Sequence, residues 1–319
     1  MKRSKLVLCF SLFLLSSCSK LNKVVTIGIA PWSESLEYEE NIRGFKDTLS
    51  QYYKEGENLK YIELNANADI EKQKEIIQLF IDKKVDLIYT LTTPGTLIAK
   101  SYTKTIPIVF SIVTFPVQAR IINSLQNSGN NLVGTSNYMD PARQYYAFES
   151  IYPNSKAIGF VHRQGEVNSE IQYQEFNDLL SKRGIKVLDL AVTDAKQLAS
   201  ILEKENSNYD SLYAACDTLV QTEGEDVIIR HALKYHKPSF GCIASGIERG
   251  TLVGNVADYY EIGTKSGELA KEILRGAEPS WLLTEHPNKD RILVNLKTAK
   301  SIGVKIPEKF MSEVAKAYN

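Results

Sequence analysis

The sequence has little of what a disulfide-built or metal-built protein needs, with four cysteines and four histidines in 319 residues. Cys9 falls inside an N-terminal apolar run and Cys18 at its end, which leaves Cys216 and Cys242 for the body of the chain. Two thiols make neither a disulfide framework nor a zinc set. In an exported protein they are either bridged, if their strands are neighbours, or buried as free thiols. An excess of one charge is also lacking, because 38 Lys and Arg balance 38 Asp and Glu. Nothing here resembles the basic excess of a nucleic-acid binder, and no such partner is expected.

Catalytic signatures are missing as well. There is no Gly-Lys-Ser phosphate loop, no Gly-x-Ser-x-Gly elbow, no His-Glu-x-x-His and no Rossmann glycine fingerprint. Glu166 and Asp217 stand at no diagnostic acid–base spacing, and His162 has no partner acids at metal or triad spacing, so a structural role is expected for it. No catalytic residue, metal or cofactor is expected. A small α/β hydrolase or isomerase stands only as an alternative. Tyr145, Tyr146, Tyr259 and Tyr260 form adjacent pairs whose expected role is packing.

The N-terminus carries Lys2, Arg3 and Lys5 ahead of an apolar run over 6–15, too short to span a bilayer as a mature helix. This reads as a secretory signal over 1–17. It ends in Leu15-Ser16-Ser17-Cys18, which resembles the bacterial lipobox, and that resemblance implies lipidation of Cys18, with palmitate among its acyl chains. Residues 18–23 are then a lipidated tether, holding the protein at a bacterial membrane and facing the periplasm or exterior.

From residue 24 the chain alternates strand and helix. Strands are expected near 24–30, 58–64, 85–91 and 106–113, and again near 156–161, 185–191, 211–215 and 238–243. Helices lie between them, for example 70–84 with Ile76, Ile77, Phe80 and Ile81 at three-and-four spacing. This rhythm means βαβ units, parallel sheets and two similar α/β lobes. A helix over 258–274, a strand near 292–295 and terminal helical pieces suit a chain that recrosses between lobes through hinge strands. The expected division is 24–137 plus 247–276 for lobe one and 138–246 plus 277–319 for lobe two.

Ligands of open parallel sheets bind beyond the carboxyl ends of the strands. The loops there contain Pro31-Trp32-Ser33, Thr92-Thr93-Pro94, Thr114-Phe115-Pro116, Glu166 to Ser169, Cys216-Asp217-Thr218 and Ala244-Ser245. Thr92 or Thr93 can cap the following helix, with Pro94 in its first turn, so a helix N-terminus offers partial positive charge to an anion. Asp217 faces the opposite way in charge. A zwitterion with an apolar side chain satisfies both poles, with Trp32 or Phe115 available for stacking.

The same residues carry a family resemblance. Arg43-Gly44-Phe45-Lys46-Asp47, Lys84-Val85-Asp86-Leu87-Ile88 running into Thr92-Thr93-Pro94, and Ile106-Pro107-Ile108-Val109-Phe110 with Val113-Thr114 contribute to it. So do Gly165-Glu166 with Asn168-Ser169, Glu248-Arg249-Gly250, and Val294-Asn295-Leu296-Lys297. From Val25 to about Val304 the chain resembles ABC-transporter substrate-binding proteins of the tryptophan-binding type, with the type I periplasmic-binding-protein fold. The resemblance implies a monomeric receptor, not an enzyme, that closes two lobes on a small molecule and hands it to an ABC permease and ATPase. An amino acid is the expected ligand, an aromatic one favoured; a sugar or nucleoside receptor and a sensor or adhesin lipoprotein are the alternatives. It carries Thr92, Thr93, Thr114, Asn168, Ser169 and Asp217 over as cleft residues, beside Trp32, Phe115, Thr218 and Ser245 from the loops. The family commonly has an acid where this chain has Phe115, and another near 244–246 where this chain has none.

Overall fold

The computed structural model describes residues 24–287 and 290–319. The signal segment, Cys18 and the tether lie outside the described residues. The first lobe opens with β1 (Val25–Ala30), α1 (Leu36–Ser50), β2 (Leu59–Glu63), α2 (Ile70–Asp82), β3 (Leu87–Leu91), α3 (Thr93–Tyr102), β4 (Ile108–Ser111) and β5 (Leu132–Gly134). The second follows with α4 (Pro141–Glu149), β6 (Ala157–Arg163), α5 (Val167–Ser181), β7 (Lys186–Val192), α6 (Ala195–Glu205), β8 (Ser211–Ala214), α7 (Glu225–Lys234), β9 (Ser239–Gly241), α8 (Ala244–Arg249) and β10 (Val253–Ala257). The chain ends with α9 (Tyr259–Leu274), β11 (Asp290–Asn295), α10 (Leu296–Ile302), α11 (Glu308–Met311) and β12 (Val314–Tyr318).

Two sheets result. The first has the order β2-β1-β3-β4-β5 and is parallel throughout. The second has the order β12-β11-β10-β9-β8-β6-β7. Its strands run parallel except at the β10–β11 pair, where Val253 stands opposite Val294 in antiparallel register. The reversal has a topological cause: after β10 the chain leaves for the first lobe as α9, and it re-enters the sheet from that side instead of through a crossover helix. The segment 247–276, expected in lobe one, therefore divides. Its strand β10 belongs to the second sheet, and α9 packs on α1. The last residues, expected as helix, form the edge strand β12 instead. Alternation of Val314, Lys316 and Tyr318 with two alanines reads poorly by helical periodicity, and the free edge of β11 supplies the partner.

Each sheet is buried on both faces. In the first lobe Phe45, Leu49, Tyr89 and Ile273 fill one face and Phe80, Ile88, Phe110 and Leu132 the other; Phe45 stacks on Tyr89 with ring centroids 3.9 Å apart. In the second lobe Phe148, Phe160, Phe176 and Phe240 pack on one side and Val161, Leu198, Leu212 and Ile228 on the other. Strands buried on both faces need no alternation, which is why they read as continuous apolar runs.

The α1–α9 contact attaches the returning chain to the first lobe, and it is close enough to need glycine. A Cβ at Gly44 would stand 2.2 Å from the Tyr260 carbonyl oxygen, and one at Gly263 1.9 Å from that of Asn41. Gly to Ala in a helix gains about 0.5–1 kcal/mol in propensity, whereas forcing two backbones apart costs about 1–3 kcal/mol. Crowding wins. Gly44→Ala is expected to lower unfolding free energy in urea by about 1–2 kcal/mol; an unchanged or raised midpoint would refute close backbone approach at this position.

Candidate functional site

The carboxyl ends of the strands of both sheets meet at the junction of the lobes. There a cavity of about 10 Å³ is lined by Thr92, Thr93 and Ile112 from the first lobe and by Glu166, Asn168, Cys216, Asp217, Thr218 and Gln221 from the second. That is room for about one water and far less than a ligand pocket. An amino acid needs the lobes to part or side chains to turn.

On the first-lobe side the backbone bends sharply out of β3. Thr92 takes φ of 69° and its side chain makes no capping bond to α3, so the expected hydroxyl cap is not made. The Thr92 carbonyl instead accepts from the Thr96 backbone N–H and hydroxyl, at 3.1 and 2.7 Å. With a positive φ, Thr92 sits in backbone space that favours glycine. A non-glycine residue held there is strained by about 1–3 kcal/mol. Pro94 does sit in the first turn of α3. The Thr92 and Thr93 hydroxyls are both buried and without a partner, and no charged side chain of this lobe lines the cavity.

The second-lobe side is acidic. Asp217 accepts backbone N–H bonds from Arg163 at 2.7 Å and Val220 at 2.8 Å. Glu166 accepts from the Thr218 N–H at 3.2 Å and hydroxyl at 2.5 Å. Asp217 thus lines the cavity and also accepts the N–H that opens the following helical turn. Burial pushes its carboxyl up to about 8, with the neighbouring Glu166 charge adding to the rise; burial raises Glu166 in the same way. Gln221 enters the cavity through a π-helical turn at Val220–Gly224, a feature often found at functional sites. It also takes a 2.8 Å hydrogen bond from the Tyr38 hydroxyl across the lobe junction. Cys216 and Cys242, at the ends of adjacent strands β8 and β9, are joined by a disulfide with Cα atoms 5.9 Å apart. The bridge ties together the two loops that follow these strands.

Thr92, Thr93, Asn168, Asp217 and Thr218 are therefore brought together as the sequence suggested. The others are placed elsewhere. Ser169 is fully buried, its hydroxyl within 2.8 and 2.9 Å of the Arg163 and Glu166 carbonyls, so it fastens the start of α5. Thr114 donates to Asn137 Oδ1 at 3.1 Å, and Phe115 packs edge-on against Tyr138 at 5.5 Å. Ser245 gives its backbone N–H to Glu37 at 3.2 Å, in a separate and wider groove with Glu248, Asp258 and Arg291. Trp32 is buried behind Gly95 rather than in the cavity. His162 is buried between Asp189 and Ser169, an internal role. Sequence reading passed over Gln221, Ile112, Tyr38 and Gln73. Gln73 lies three residues before Ile76 on the apolar face of α2, and a wholly buried amide on such a stripe is itself a signal.

Two sheets of parallel strands, with a neutral hydroxyl face opposed to a pair of buried carboxyls between them, define a two-lobed solute receptor of the type I periplasmic-binding-protein class. The family model for ABC transporter substrate binding proteins matches residues 27–317, and the chain belongs to that family, one of solute-binding proteins rather than enzymes. It is 29% identical to the tyrosine-binding protein of Clostridioides difficile (strain R20291) over 281 residues, 88% of this chain and 81% of that one. The ABC domain in complex with L-Trp from Streptococcus pneumoniae superposes with a TM-score of 0.88 at 24% identity, covering 92% of this chain and 99% of that one. The ligand-free, open structure of a Clostridium difficile substrate-binding protein with adhesive properties gives 0.73 at 27% identity, covering 93% and 100%.

An acid whose carboxyl is raised on folding favours the folded state fully below its unfolded value near 4, and that advantage is lost as pH rises toward about 8. Asp217→Asn removes this loss, along with one backbone acceptor. The stability of the variant minus that of the natural chain, from urea unfolding without added ligand, is therefore expected to increase from pH 5 to pH 8. A difference that stays flat would mean Asp217 is not held out of water.

Proposed function

We propose that this protein is an extracytoplasmic receptor lipoprotein of an ABC importer, which closes its lobes on an amino acid, with aromatic side chains favoured. The observation that carries the reading is the polarity of the junction: unpartnered Thr92 and Thr93 hydroxyls face Glu166 and Asp217 across one cavity. A ligand ammonium placed between the carboxyls offsets the cost of burying them, and the hydroxyls with the start of α3 take the carboxylate. Binding and closure are then one event, since neither pole is worth burying without its counterpart. The smallness of the cavity supports closure. Similarity to a tyrosine-binding and a Trp-complexed protein supports the ligand class.

Localisation follows from the N-terminus. Among the described residues no helix is long and apolar enough to cross a membrane, and the proposed attachment is lipid on Cys18 with the permease and ATPase as partners. Cys18→Ala is expected to abolish labelling by radioactive palmitate and to shift the protein from the membrane to the soluble fraction of the producing cell; unchanged labelling would place the lipid elsewhere, and a natural chain that takes no label would refute lipidation.

Ligand class is tested by a thermal-shift screen across amino acids, sugars and nucleosides, where saturating ligand at 100 times Kd adds about 2.7 kcal/mol of stability. An aromatic amino acid is expected to give the largest shift. Thr93→Val deletes a hydroxyl that has no partner in the protein, so it is expected to fold normally and to bind the amino acid about tenfold more weakly. A shift from sugars alone, or full affinity in Thr93→Val, would move the site or the ligand class.

A further inference from the structure

The first sheet is parallel, so the helices that return along it deliver their last turns to the amino ends of the strands, the end opposite the lobe junction. Val24 stands there, directly before β1 and six residues after Cys18. Large apolar side chains are exposed at this same end: Val24 itself, Tyr52 just after α1, Tyr102 at the end of α3, and above all Trp281, which is 78% exposed. Trp281 closes a short 3-10 turn, Pro279–Trp281, whose first residues lie beside Pro107 and Asn131, the residues directly preceding β4 and β5. Tyr52 lies under Lys271 and Arg275 at the end of α9, each 5.0 Å from its ring centroid.

Cations accompany the rings. Lys83 and Lys84 follow α2, Lys104 follows α3 and Arg275 follows α9, all of them exposed. Lys20 and Lys23 stand in the stretch between Cys18 and Val24. Of the acids at this end, Glu57 is paired with Lys54 at 2.8 Å and Asp82 takes a 2.9 Å hydrogen bond from Gln78. Basic residues at helix C-termini complement the helix dipole in any protein, and by themselves they indicate nothing. An open indole among them does. Trp and Tyr rings flanked by Lys and Arg suit the headgroup level of a bilayer, where the rings sit at the apolar boundary and the cations meet anionic phosphates.

We infer that the amino end of the first lobe, centred on Trp281, rests on the surface of an anionic phospholipid bilayer. The inference rests on the lipid-anchor reading above and adds to it a protein face and an orientation. Reach selects the occupant. Six extended residues span at most about 20 Å, so a lipid on Cys18 keeps this end of the lobe beside the membrane. At the effective concentration that a short tether creates, even a weak surface contact is populated. A second copy of the chain has no such help. Because the cavity lies at the opposite ends of the strands, the lobes stay free to part while the protein stands on the bilayer.

Fluorescence of the lipidated chain tests this, since Trp32 and Trp281 are the two tryptophans and Trp32 is buried. The probe is a vesicle of equal parts phosphatidylglycerol and phosphatidylcholine, with flotation reading attachment. Phosphatidylcholine brominated on its acyl chains is expected to quench the natural chain and to leave Trp281→Phe, in which only Trp32 emits, unquenched. Each basic side chain at an anionic surface strengthens binding about fivefold, so Lys83→Gln with Lys84→Gln is expected to lower the bromolipid quenching about twofold or more. A natural chain that floats with the vesicles but is quenched no more than Trp281→Phe would leave the anchor standing and overturn the inference. A blue shift of Trp281 emission that grows with protein density and brings no bromolipid quenching would make the face a contact between copies, and would overturn it too. A natural chain that does not float would remove the anchor, and the inference with it.

Discussion

Two carboxyls held out of water between two sheets set the terms for everything around them. The charge of Glu166 raises Asp217, and both are buried enough that ionisation is costly. The protein stabilises them with backbone N–H groups, the Thr218 hydroxyl and the Asn168 side chain, with the Arg163 guanidinium adding a weaker Coulombic contribution. That is a fixed and incomplete solvation shell. A positive charge arriving from outside completes it. The geometry of β6, β8 and the turns that follow them exists to hold these groups at the open ends of their strands, where such a charge can enter.

The first lobe supplies the opposite kind of surface. Its share of the cavity has no charge: the hydroxyls of Thr92 and Thr93, on a strained bend and the beginning of α3, and the apolar Ile112. Neutral donors suit a carboxylate without binding it so strongly that release becomes impossible. Thr92, on strained backbone, makes no capping bond to α3, and its hydroxyl is left without a protein partner. Around Gly95 the lobe continues this pattern, with Gln73, Thr92 and Trp32 each presenting a buried atom that no protein group meets.

The lobes are linked by a chain that crosses between them more than once, and by contacts that span the junction. α9 leaves the second sheet and fastens to α1 through Gly44 and Gly263, while Tyr38 bonds Gln221 and Glu37 takes the Ser245 N–H. The α1–α9 contact is intimate and glycine-dependent, and belongs within a lobe. The Tyr38 and Glu37 bonds are single polar contacts between lobes. Cross-junction bonds that few in number can break at modest cost, which is what a reversible closure needs.

Much of this was legible in the sequence. The alternation of apolar strands with three-and-four-spaced helices determined two α/β lobes, and the position of Thr92, Thr93, Asn168, Asp217 and Thr218 just beyond strands determined that they meet at one end of their sheets, because parallel strands point all their carboxyl ends the same way. Gln73, three residues before Ile76 on the same face of α2, was passed over because a polar residue does not mark an apolar stripe. Tertiary structure decided the rest. Whether β10 belongs to one sheet or the other, whether 314–318 is helix or edge strand, and whether Cys216 meets Cys242 depend on which neighbour is free to pair, a property of the assembled sheet. Trp32 and Phe115 in loops, and Ser169 and Ser245 in the first turns of α5 and α8, follow strands as the cavity residues do and yet face inward or elsewhere. Loop position is set by sequence order, but the direction of a side chain is set by the packing that surrounds it.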